Sequence, residues 1–449
     1  MILLSFKSLL STSFQRHLVC TAAYSSDLYT CVNIFFHYQP NSIILVSLPK
    51  FKWLKGMPKK KADNNSGNFD MIAKTYHGLE DILAKELLQL GAQDIKTLRR
   101  AVKFKGDIGF MYKANLSLRT AVRILKPIKS FKVTKEEEFY EAIQSIDWEK
   151  YMSIDDTFAV DAFVNSTYFN HSLYIALKTK DAIVDQFRDK CGMRPDVDLD
   201  NPNLRINIHI SEDTCTVSLD SSGKSLHKRG YRLETNEAPI SEALAAGLIM
   251  LSGWDKKSIF IDGMCGSGTF LIEAAMIAAN IPANISRPHF AFEDWPNFDA
   301  ELWALIQESQ LKKSKDCYGK IIGYDIDPQV IASAKLNIAN AGLEEYIELK
   351  CENFFDTVKP EGPTHLVFNP PYGVRLQGDI PTMYQSIGDT LKKNYSGAEA
   401  WFLTSHMEGL KHVGLRASRK IEIFQAKLEC RFVKYEMYQG TKKVKQTED

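Results

Sequence analysis

The chain has 449 residues, of which 45% are hydrophobic and 25% are charged, so it is long enough for two or three domains with cores of their own. The formal net charge is +1, which excludes a histone-like or polybasic protein and confines any nucleic-acid surface to a local patch. The eight cysteines include no Cys-x-x-Cys pair and no cluster at metal-ligand spacing, which favours neither a disulfide framework nor a zinc site. We therefore expect a protein of a reducing compartment, the cytoplasm, without a metal.

The first 68 residues differ from the rest of the chain. Up to Lys61 the only acidic residue is Asp27, and Ser and aromatic residues are frequent. Apolar runs such as SIILVSL are too short to span a bilayer, so we expect no membrane segment, and a secretory signal would need an early basic region. A transit peptide fits the low acidity, although the stretch is poor in Arg. The interpretation we favour is a non-globular extension, with translation starting near Met57 or Met71.

The sequence pattern of residues 69–222 predicts an α+β module. A short strand, FDMIAKTY, leads into GLEDILAKELLQLGA, whose apolar residues recur at helical spacing and whose Gly91 marks the end of a helix. With two more strand-like pieces, residues 69–109 begin like a ferredoxin-like half. We predict a further helix through MYKANLSLRTAVRIL, residues 111–125, and a closing hairpin from LRINIHI and TCTVSLD.

After a linker over residues 223–236, residues 237–449 show a second pattern. Five apolar runs alternate with helix-like segments: KSIFIDGMCG, GKIIGYDIDP, YIELKCENFF, THLVFNPPY and EAWFLTS. Such runs are typical of strands that are buried on both faces, so we predict a doubly wound, Rossmann-like parallel sheet. Two β-rich stretches at the end, RKIEIFQAKL and CRFVKYEMY, predict an antiparallel hairpin at one edge.

The first strand of this sheet runs into a turn with three glycines, DGMCGSGTF. In a doubly wound sheet the ligand binds beyond the carboxyl ends of the strands, and bare backbone lets the ligand approach closely. The turn lacks the Gly-Lys-Ser/Thr of a phosphate loop and the Gly-x-Gly-x-x-Gly of a dinucleotide site, and a plain tight connection is the structural alternative. The candidate cofactor-binding residues here are Asp262, Gly263, Cys265, Gly266, Ser267, Gly268 and Thr269.

Two more strand ends add polar groups to this cleft. Asp325 ends the second run and could accept both hydroxyls of a ribose. Asp327 is better explained as a helix N-cap before Pro328. Asn353, at the end of the third run, could meet an adenine edge. A glycine-rich turn, an acid and an amide are typical of a cleft that binds a nucleoside but has no groups for a triphosphate. S-adenosylmethionine (SAM) is a ligand of that kind.

The fourth run ends in Asn-Pro-Pro-Tyr, residues 369–372. A strand terminator with an exposed Tyr is the structural alternative, but the position beside the glycine turn favours chemistry. The exocyclic amine of a base is a poor nucleophile, and acceptors aimed at its two N–H groups stabilise the positive charge that develops there. We predict that Asn369 and Pro370 supply those acceptors through a side-chain and a backbone carbonyl, and that Tyr372 stacks on the extruded base.

DGMCGSGT, GYDID and FNPPYG, in that order, resemble the class I SAM-dependent methyltransferases that act on amino groups. Residues before them, including GLEDILAKEL, RINIHI and SLDSSGKSLHKRGYR, are similar to the ferredoxin-like plus THUMP part of bacterial large-subunit (23S) rRNA guanine-N2 methyltransferases. The resemblance implies a ferredoxin-like part at 69–109, an RNA-binding THUMP domain at 110–222, and a seven-stranded methyltransferase domain from 237. It implies methyl transfer from SAM to guanine N2 in rRNA, either free or within an assembling large ribosomal subunit.

The chain departs from this family at three points. Some enterobacterial members carry a second methyltransferase domain after this one, which this sequence lacks. The resemblance therefore implies only the guanine-N2 activity. An insertion, residues 281–303, lies between the glycine turn and Asp325, and we expect a lid or substrate element there. Asn353 stands where relatives often have Asp.

Local basic clusters support RNA as the substrate, although each alone is typical of a solvated face. They are Arg99, Arg100, Lys103 and Lys105, then Lys126, Lys129, Lys132 and Lys135, then Lys228, Arg229 and Arg232, the last group being our candidate RNA contacts. The alternatives are a tRNA guanine-N2 methyltransferase, a DNA adenine-N6 methylase, which a THUMP module disfavours, and an RNA-binding protein with an inactive domain.

Overall fold

The computed structural model describes residues 34–39, 42–47, 67–233, 240–371, 380–425 and 428–438. It divides into two units, Met1–Asn64 and Asn65–Asp449. The described residues of the first unit form one antiparallel pair of strands, β1 (Ile34–Gln39) and β2 (Ser42–Ser47), within a stretch where the sequence predicted no folded element. All further description concerns the second unit.

The N-terminal module of that unit is built on an eight-stranded sheet with the order β4-β5-β3-β6-β10-β9-β7-β8. Its strands are β3 (Phe69–Lys74), β4 (Gln93–Leu98), β5 (Ala101–Gly106), β6 (Arg123–Lys132), β7 (Thr157–Asn165), β8 (Asp196–Val197), β9 (Leu204–Ser211) and β10 (Thr214–Asp220). Pairing is antiparallel except at one edge, where β7 runs parallel to both β8 and β9. The predicted strands and the closing hairpin β9–β10 are present.

Four helices cover this sheet, namely α1 (Glu80–Leu90), α2 (Ile108–Ser117), α3 (Glu136–Gln144) and α4 (Ser172–Cys191). Helix α1 has the predicted form, with two acidic residues in its first turn and Gly91 at its end with φ of 96°. Buried side chains of these helices, such as Leu83 and Phe139, share one core with alternate residues of the strands, such as Ile206 and Ile208. This alternation shows that the sheet uses one face for the core.

The sequence prediction of a helix through residues 111–125 is wrong in its second half. Helix α2 ends at Ser117, and the chain enters the central strand β6, between β3 and β10. Strand β6 contains Pro127, and its pairing with β10 is irregular there, because Val217 pairs with Lys129 and Ser218 with Pro127. The bulge interrupts the ladder beside the proline, where the missing N–H is tolerated.

The C-terminal part contains a seven-stranded sheet with the order β13-β12-β11-β14-β15-β17-β16. Its strands are β11 (Ile259–Asp262), β12 (Ile321–Asp325), β13 (Ile347–Cys351), β14 (Thr364–Phe368), β15 (Glu399–Thr404), β16 (Arg419–Gln425) and β17 (Leu428–Glu436). The first five strands are parallel, while β16 and β17 form an antiparallel hairpin at the edge. The predicted α/β fold is confirmed, and the order in which successive strands follow one another across the sheet reverses at β11, which lies between β12 and β14.

Helices lie on both faces of this sheet, and they are α5 (Glu242–Ser252), α6 (Thr269–Ala278), α8 (Pro328–Ala341) and α9 (Ile380–Asn394). Helix α7 (Ala300–Leu311) instead packs against α2 of the N-terminal module. Successive residues of one strand enter different cores. Val367 packs with α5 and α6, whereas its neighbours Leu366 and Phe368 pack with α9. Burial on both faces explains the continuous apolar runs of the sequence.

The insertion at residues 281–303, for which the sequence predicted a lid or substrate element, contributes aromatic side chains to a core of the protein. Phe290, Phe292, Trp295 and Trp303 are buried in the core of the N-terminal module. The Phe292 ring stacks on Tyr112 of α2, with centroids 4.4 Å apart and planes inclined by 24°. Burying each such ring stabilises the contact by about 1.5–3 kcal/mol, so the insertion anchors one part of the molecule to the other.

Within the described residues, no helix combines the length and apolarity required to cross a membrane. No group of three or more His, Cys, Asp or Glu side chains in the same residues is placed to hold a metal ion.

Candidate active site

The turn between β11 and α6 exposes bare backbone. A Cβ on Gly263 would lie 2.6 Å from the ring of Phe354, so only glycine fits without moving that ring. Gly266 has a φ of 54°, and a Cβ there would meet no atom of the described chain within 4 Å. A ligand can therefore approach the turn closely on the Gly266 side.

Asp325 ends β12 and faces this turn. One carboxylate oxygen, Oδ2, accepts the Gly266 N–H at 2.9 Å, and the other, Oδ1, accepts the Asp327 N–H at 3.1 Å. These bonds hold the half-buried carboxylate in place but use only one acceptor site on each oxygen. The carboxylate can still accept two hydroxyl groups. Asp327 caps α8 by accepting the Gln329 N–H, as the sequence predicted.

Asp262 and Cys265 lie behind the turn rather than on its open side. Asp262 is 1% exposed and accepts the Met264 N–H at 3.2 Å. Burial, together with the charge of Asp325, raises the pKa of the Asp262 carboxyl well above its usual range. Burial, together with Asp262, likewise raises the pKa of the Cys265 thiol, so this thiol is protonated at neutral pH and is not a nucleophile.

Asn353 follows β13 and is half-buried. Its Oδ1 accepts the Phe355 N–H at 3.1 Å and so caps a short 3₁₀ turn, residues 354–356. Because the oxygen is engaged, a contact from this side chain to a base would come from its amide NH₂ group.

Asn369 follows β14, the strand next to β11, and its side-chain oxygen is unsatisfied. Oδ1 is buried and has no hydrogen-bond partner among the described residues. Leaving a carbonyl oxygen in this state costs about 1–3 kcal/mol, which makes it a candidate ligand contact. The next residue, Pro370, is buried. Tyr372 lies outside the described residues.

Sequence reasoning missed His406, which follows the adjacent strand β15. Its Nε2 is also buried without a partner in the described part of the chain. Its backbone N–H donates to Thr404 Oγ1 at 2.9 Å, and that hydroxyl is shared with Tyr384. The sequence does not indicate that this loop histidine is buried, because its burial depends on the neighbouring strands.

The predicted RNA contact by Arg229 is contradicted by its surroundings. Its side chain is 0% exposed, and its Nε lies 3.3 Å from Oε1 of Glu273 on α6. Nη1 donates to the Leu226 carbonyl and to Asn284 Oδ1, and Nη2 donates to the Arg119 carbonyl. Every nitrogen of the guanidinium is used inside the protein, so Arg229 has a structural role.

Arg232 and Lys228 have different surroundings. Arg232 Nε pairs with Glu242 at 2.9 Å, and Nη2 donates to Thr269 Oγ1 at 2.9 Å. Its Nη1 lies 3.4 Å from Ser267 Oγ, so this arginine stabilises the glycine turn through hydrogen bonds. Lys228 is exposed, with no ion pair inside the described ranges, and remains a candidate for an RNA contact.

Three family models match the chain in succession. The RlmL ferredoxin-like domain matches residues 70–125, the THUMP domain matches residues 133–220, and the RMKL-like methyltransferase domain matches residues 229–434. A protein of Synechocystis sp. provisionally named RNA methyltransferase slr0064 is 38% identical over 370 residues, which are 82% of this chain and 96% of that protein. The chain belongs to the SAM-dependent RNA methyltransferases.

Longer proteins also resemble this methyltransferase. The ribosomal RNA large subunit methyltransferase K/L of Syntrophotalea carbinolica is 37% identical over 379 residues, 82% of this chain and 53% of that protein. The chain thus spans about half the length of such K/L relatives. The crystal structure of SMU.472, provisionally named a methyltransferase and complexed with SAH, is 31% identical, covers 83% of this chain and 99% of its own, and has a TM-score of 0.74.

The methyltransferase has a strand-end cleft that fits its cofactor. The turn leaves open space beside Gly266, and the Asp325 carboxylate, fixed by two backbone N–H groups, keeps free acceptor sites. Asp325 is also the end of the strand next to β11, where a doubly wound sheet binds ligands.

Proposed function

We propose that this methyltransferase transfers a methyl group from SAM to the exocyclic N2 amine of a guanine in large-subunit (23S) rRNA. The observation that carries the proposal is the buried Asn369 Oδ1, which has no partner among the described residues and lies at the strand end beside the cofactor turn. The relatives that are named for rRNA support the choice of RNA.

The cofactor is held by the three strand ends described above. Asp325, held by the Gly266 N–H, would accept the two ribose hydroxyls, the turn from Asp262 to Thr269 would lie along the cofactor, and the Asn353 amide would donate to the adenine edge. When bound, SAM supplies an electrophilic methyl group. The protonated Cys265 and the buried Asp262 take no part in the chemistry beyond supporting the turn.

The chain makes the guanine amine reactive through acceptors. The amine lone pair is delocalised into the base, so attack on the methyl group places positive charge on N2. Asn369 Oδ1 and the Pro370 carbonyl accept the two N–H groups and stabilise that charge, while the proline ring keeps the corner rigid. Tyr372, outside the described residues, would stack on the base. A strong general base is not needed before the methyl group is transferred, because the positively charged amine is acidic and releases its proton to water afterwards.

The RNA substrate is bound by the N-terminal module and by the residues between it and the catalytic domain. We keep Lys228 as an RNA contact, whereas Arg229 and Arg232 act within the protein. Free 23S rRNA and an assembling large subunit are both proposed as substrates, and in either one the target base must be extruded from its helix before Asn369 can reach it.

The experiment that tests this function uses SAM labelled in its methyl group. The enzyme is incubated with 23S rRNA, assembly particles, tRNA and genomic DNA from a strain that lacks it, and the labelled nucleosides are identified. The expected product is N2-methylguanosine in 23S rRNA. Label in tRNA guanine would favour a tRNA enzyme, and N6-methyladenine in DNA would favour a DNA methylase. Either result would overturn the proposal.

A further inference from the structure

A cavity of about 490 Å³ lies where the N-terminal module meets the catalytic domain, and we call it the junction cavity. Its walls come from the loop at residues 200–202, the segment at residues 223–232 and residues 287–294 of the insertion, and Arg205 and Glu242 complete the lining. Six of its lining side chains are Arg or Lys, whereas three are Asp or Glu. The excess of positive charge points to an anionic ligand.

Some of these charges are already paired. Arg229 lies beside Glu273, Arg232 beside Glu242, and Arg205 within 3.3 Å of Asp161. On the acidic side, Asp294 pairs with His289 at 3.2 Å. Three cations of the cavity are left without a carboxylate partner in the part of the chain that the structure describes, and they are Lys224, Lys228 and Arg287.

Arg287 fixes the backbone that carries both lysines. Its guanidinium donates to the carbonyl oxygens of Lys224 and Lys228, each at 2.8 Å, and to those of Ser222 at 3.2 Å and Ser225 at 2.9 Å. All four acceptors are neutral, so they do not cancel its charge. Its Nε is buried and has no partner among the described residues. The lysines therefore project from a backbone that is held in place before any ligand binds.

Residues that line the junction cavity also contact the glycine turn of the catalytic domain and belong to strand β9 of the N-terminal module. Arg232 lines the cavity and donates to the glycine turn through Thr269. On the opposite side, Arg205 lines it from β9, and four residues along that strand, about 13 Å away, the ring of His209 stacks on Phe163 with planes inclined by 5°. Phe163 is 60% exposed, as expected of a ring that could stack on an unpaired base.

We propose that the junction cavity binds backbone phosphates of the RNA strand that flanks the target nucleotide, with Lys224 and Lys228 as the phosphate contacts. This inference rests on the proposed function, because it takes RNA as the substrate. It assigns the insertion a second task besides anchoring: Arg287 shapes the phosphate site. Phosphates are read without regard to sequence, so this site positions the strand while the Asn369 corner selects the base.

The test compares two double variants of the full chain. Lys224→Gln with Lys228→Gln removes both contacts, whereas Lys335→Gln with Lys393→Gln removes the same charge from exposed lysines outside the cavity. Binding to a 23S rRNA transcript is measured over a series of salt concentrations. For the cavity variant we expect about tenfold weaker binding at 0.1 M salt and a salt slope smaller by about 2, with SAM affinity unchanged.

The Lys335/Lys393 variant is the control against which this inference would fail. If the cavity variant binds RNA with the same affinity and salt slope as the Lys335/Lys393 variant, the junction cavity does not hold phosphate. That result would leave the proposed function standing as long as the unsubstituted enzyme still methylates guanine N2. Failure of the unsubstituted enzyme to methylate RNA would instead overturn the proposed function itself.

Discussion

Arg229 and Asn369 are both polar groups in the protein interior, but their hydrogen bonds differ. Each nitrogen of the Arg229 guanidinium has an acceptor within the protein. Asn369 Oδ1 has none among the described residues. A buried polar group that is satisfied by its own chain builds the architecture, whereas one that is not satisfied is available to a ligand. Sequence motifs alone place both residues in the functional site, and their surroundings separate them.

The largest expected effect is on stability, from Arg229→Met. The substitution removes the ion-pair partner of Glu273, which is 0% exposed and keeps the Tyr231 hydroxyl as a donor, and burial already raises the pKa of that carboxyl. We expect the free energy of unfolding to fall by about 3–5 kcal/mol, measured by urea denaturation. Adding Glu273→Met should restore part of the loss. A stable Arg229→Met variant with a smaller salt slope for RNA binding would instead make Arg229 a phosphate contact.

The next largest effect is on catalysis, from Asn369→Ala. Removing one acceptor of the developing charge should lower kcat by about 10²- to 10³-fold. Stability should be unchanged or slightly higher, because an unsatisfied oxygen disappears. Asn394→Ala is the matched control, since the Asn394 side chain donates to the Thr357 carbonyl at 2.9 Å. The control should lose about 1 kcal/mol of stability and keep its turnover; the opposite pattern would reverse our assignment.

His365 extends the comparison, because it lies on the same strand as the Asn369 corner but is satisfied, with Nε2 2.8 Å from Ser252 Oγ. Burial lowers its pKa to about 4, below the unfolded value of about 6.5. Below pH 6.5 the unfolded chain takes up the proton first, so stability is complete above that pH and is lost as the pH falls toward 4. The loss is about 3 kcal/mol.

The measurement is urea denaturation at a series of pH values for the unsubstituted protein and for His365→Gln. We expect the variant to be less stable at pH 7.5 and to show a smaller fall between pH 6.5 and 4. Parallel pH curves for the two proteins would show that this histidine does not carry the effect.

The smallest effect is expected from Asp325→Ala. The carboxylate is held by the Gly266 and Asp327 N–H groups and accepts the ribose hydroxyls in the proposed complex. Its loss should weaken SAM binding by about 10- to 100-fold, measured by calorimetry. Asp327→Ala, which removes only the cap of α8, is the control. Unchanged affinity in Asp325→Ala would remove Asp325 from the cofactor site.

Sequence patterns were sufficient for the fold where one local rule decided it. Continuous apolar runs predicted the parallel strands, and the strand-end rule brought Asp325 to the glycine turn, where the structure shows a 2.9 Å hydrogen bond. Prediction failed where tertiary contacts decided the outcome. The strand β6 depends on a bulge at Pro127, and the aromatic residues of the insertion depend on a core that lies far away in sequence.

The same limit applies to charged residues. Lys228 and Arg229 are adjacent in sequence, yet one is exposed and the other is enclosed by α6 and Asn284. Nothing in the pattern HKRGYR distinguishes them, because burial is set by segments more than 40 residues away, such as Glu273. His406 was missed for the same reason.

The central claim is that Asp325 serves the cofactor and Asn369 serves the target amine. It is tested most directly by single-turnover methyl transfer to 23S rRNA, measured for both alanine variants over a range of SAM concentrations. We expect saturating SAM to restore Asp325→Ala to nearly the unsubstituted rate and to leave Asn369→Ala about 10²- to 10³-fold slow. Restoration of Asn369→Ala by SAM, or an Asp325→Ala rate that stays low at saturation, would contradict the account.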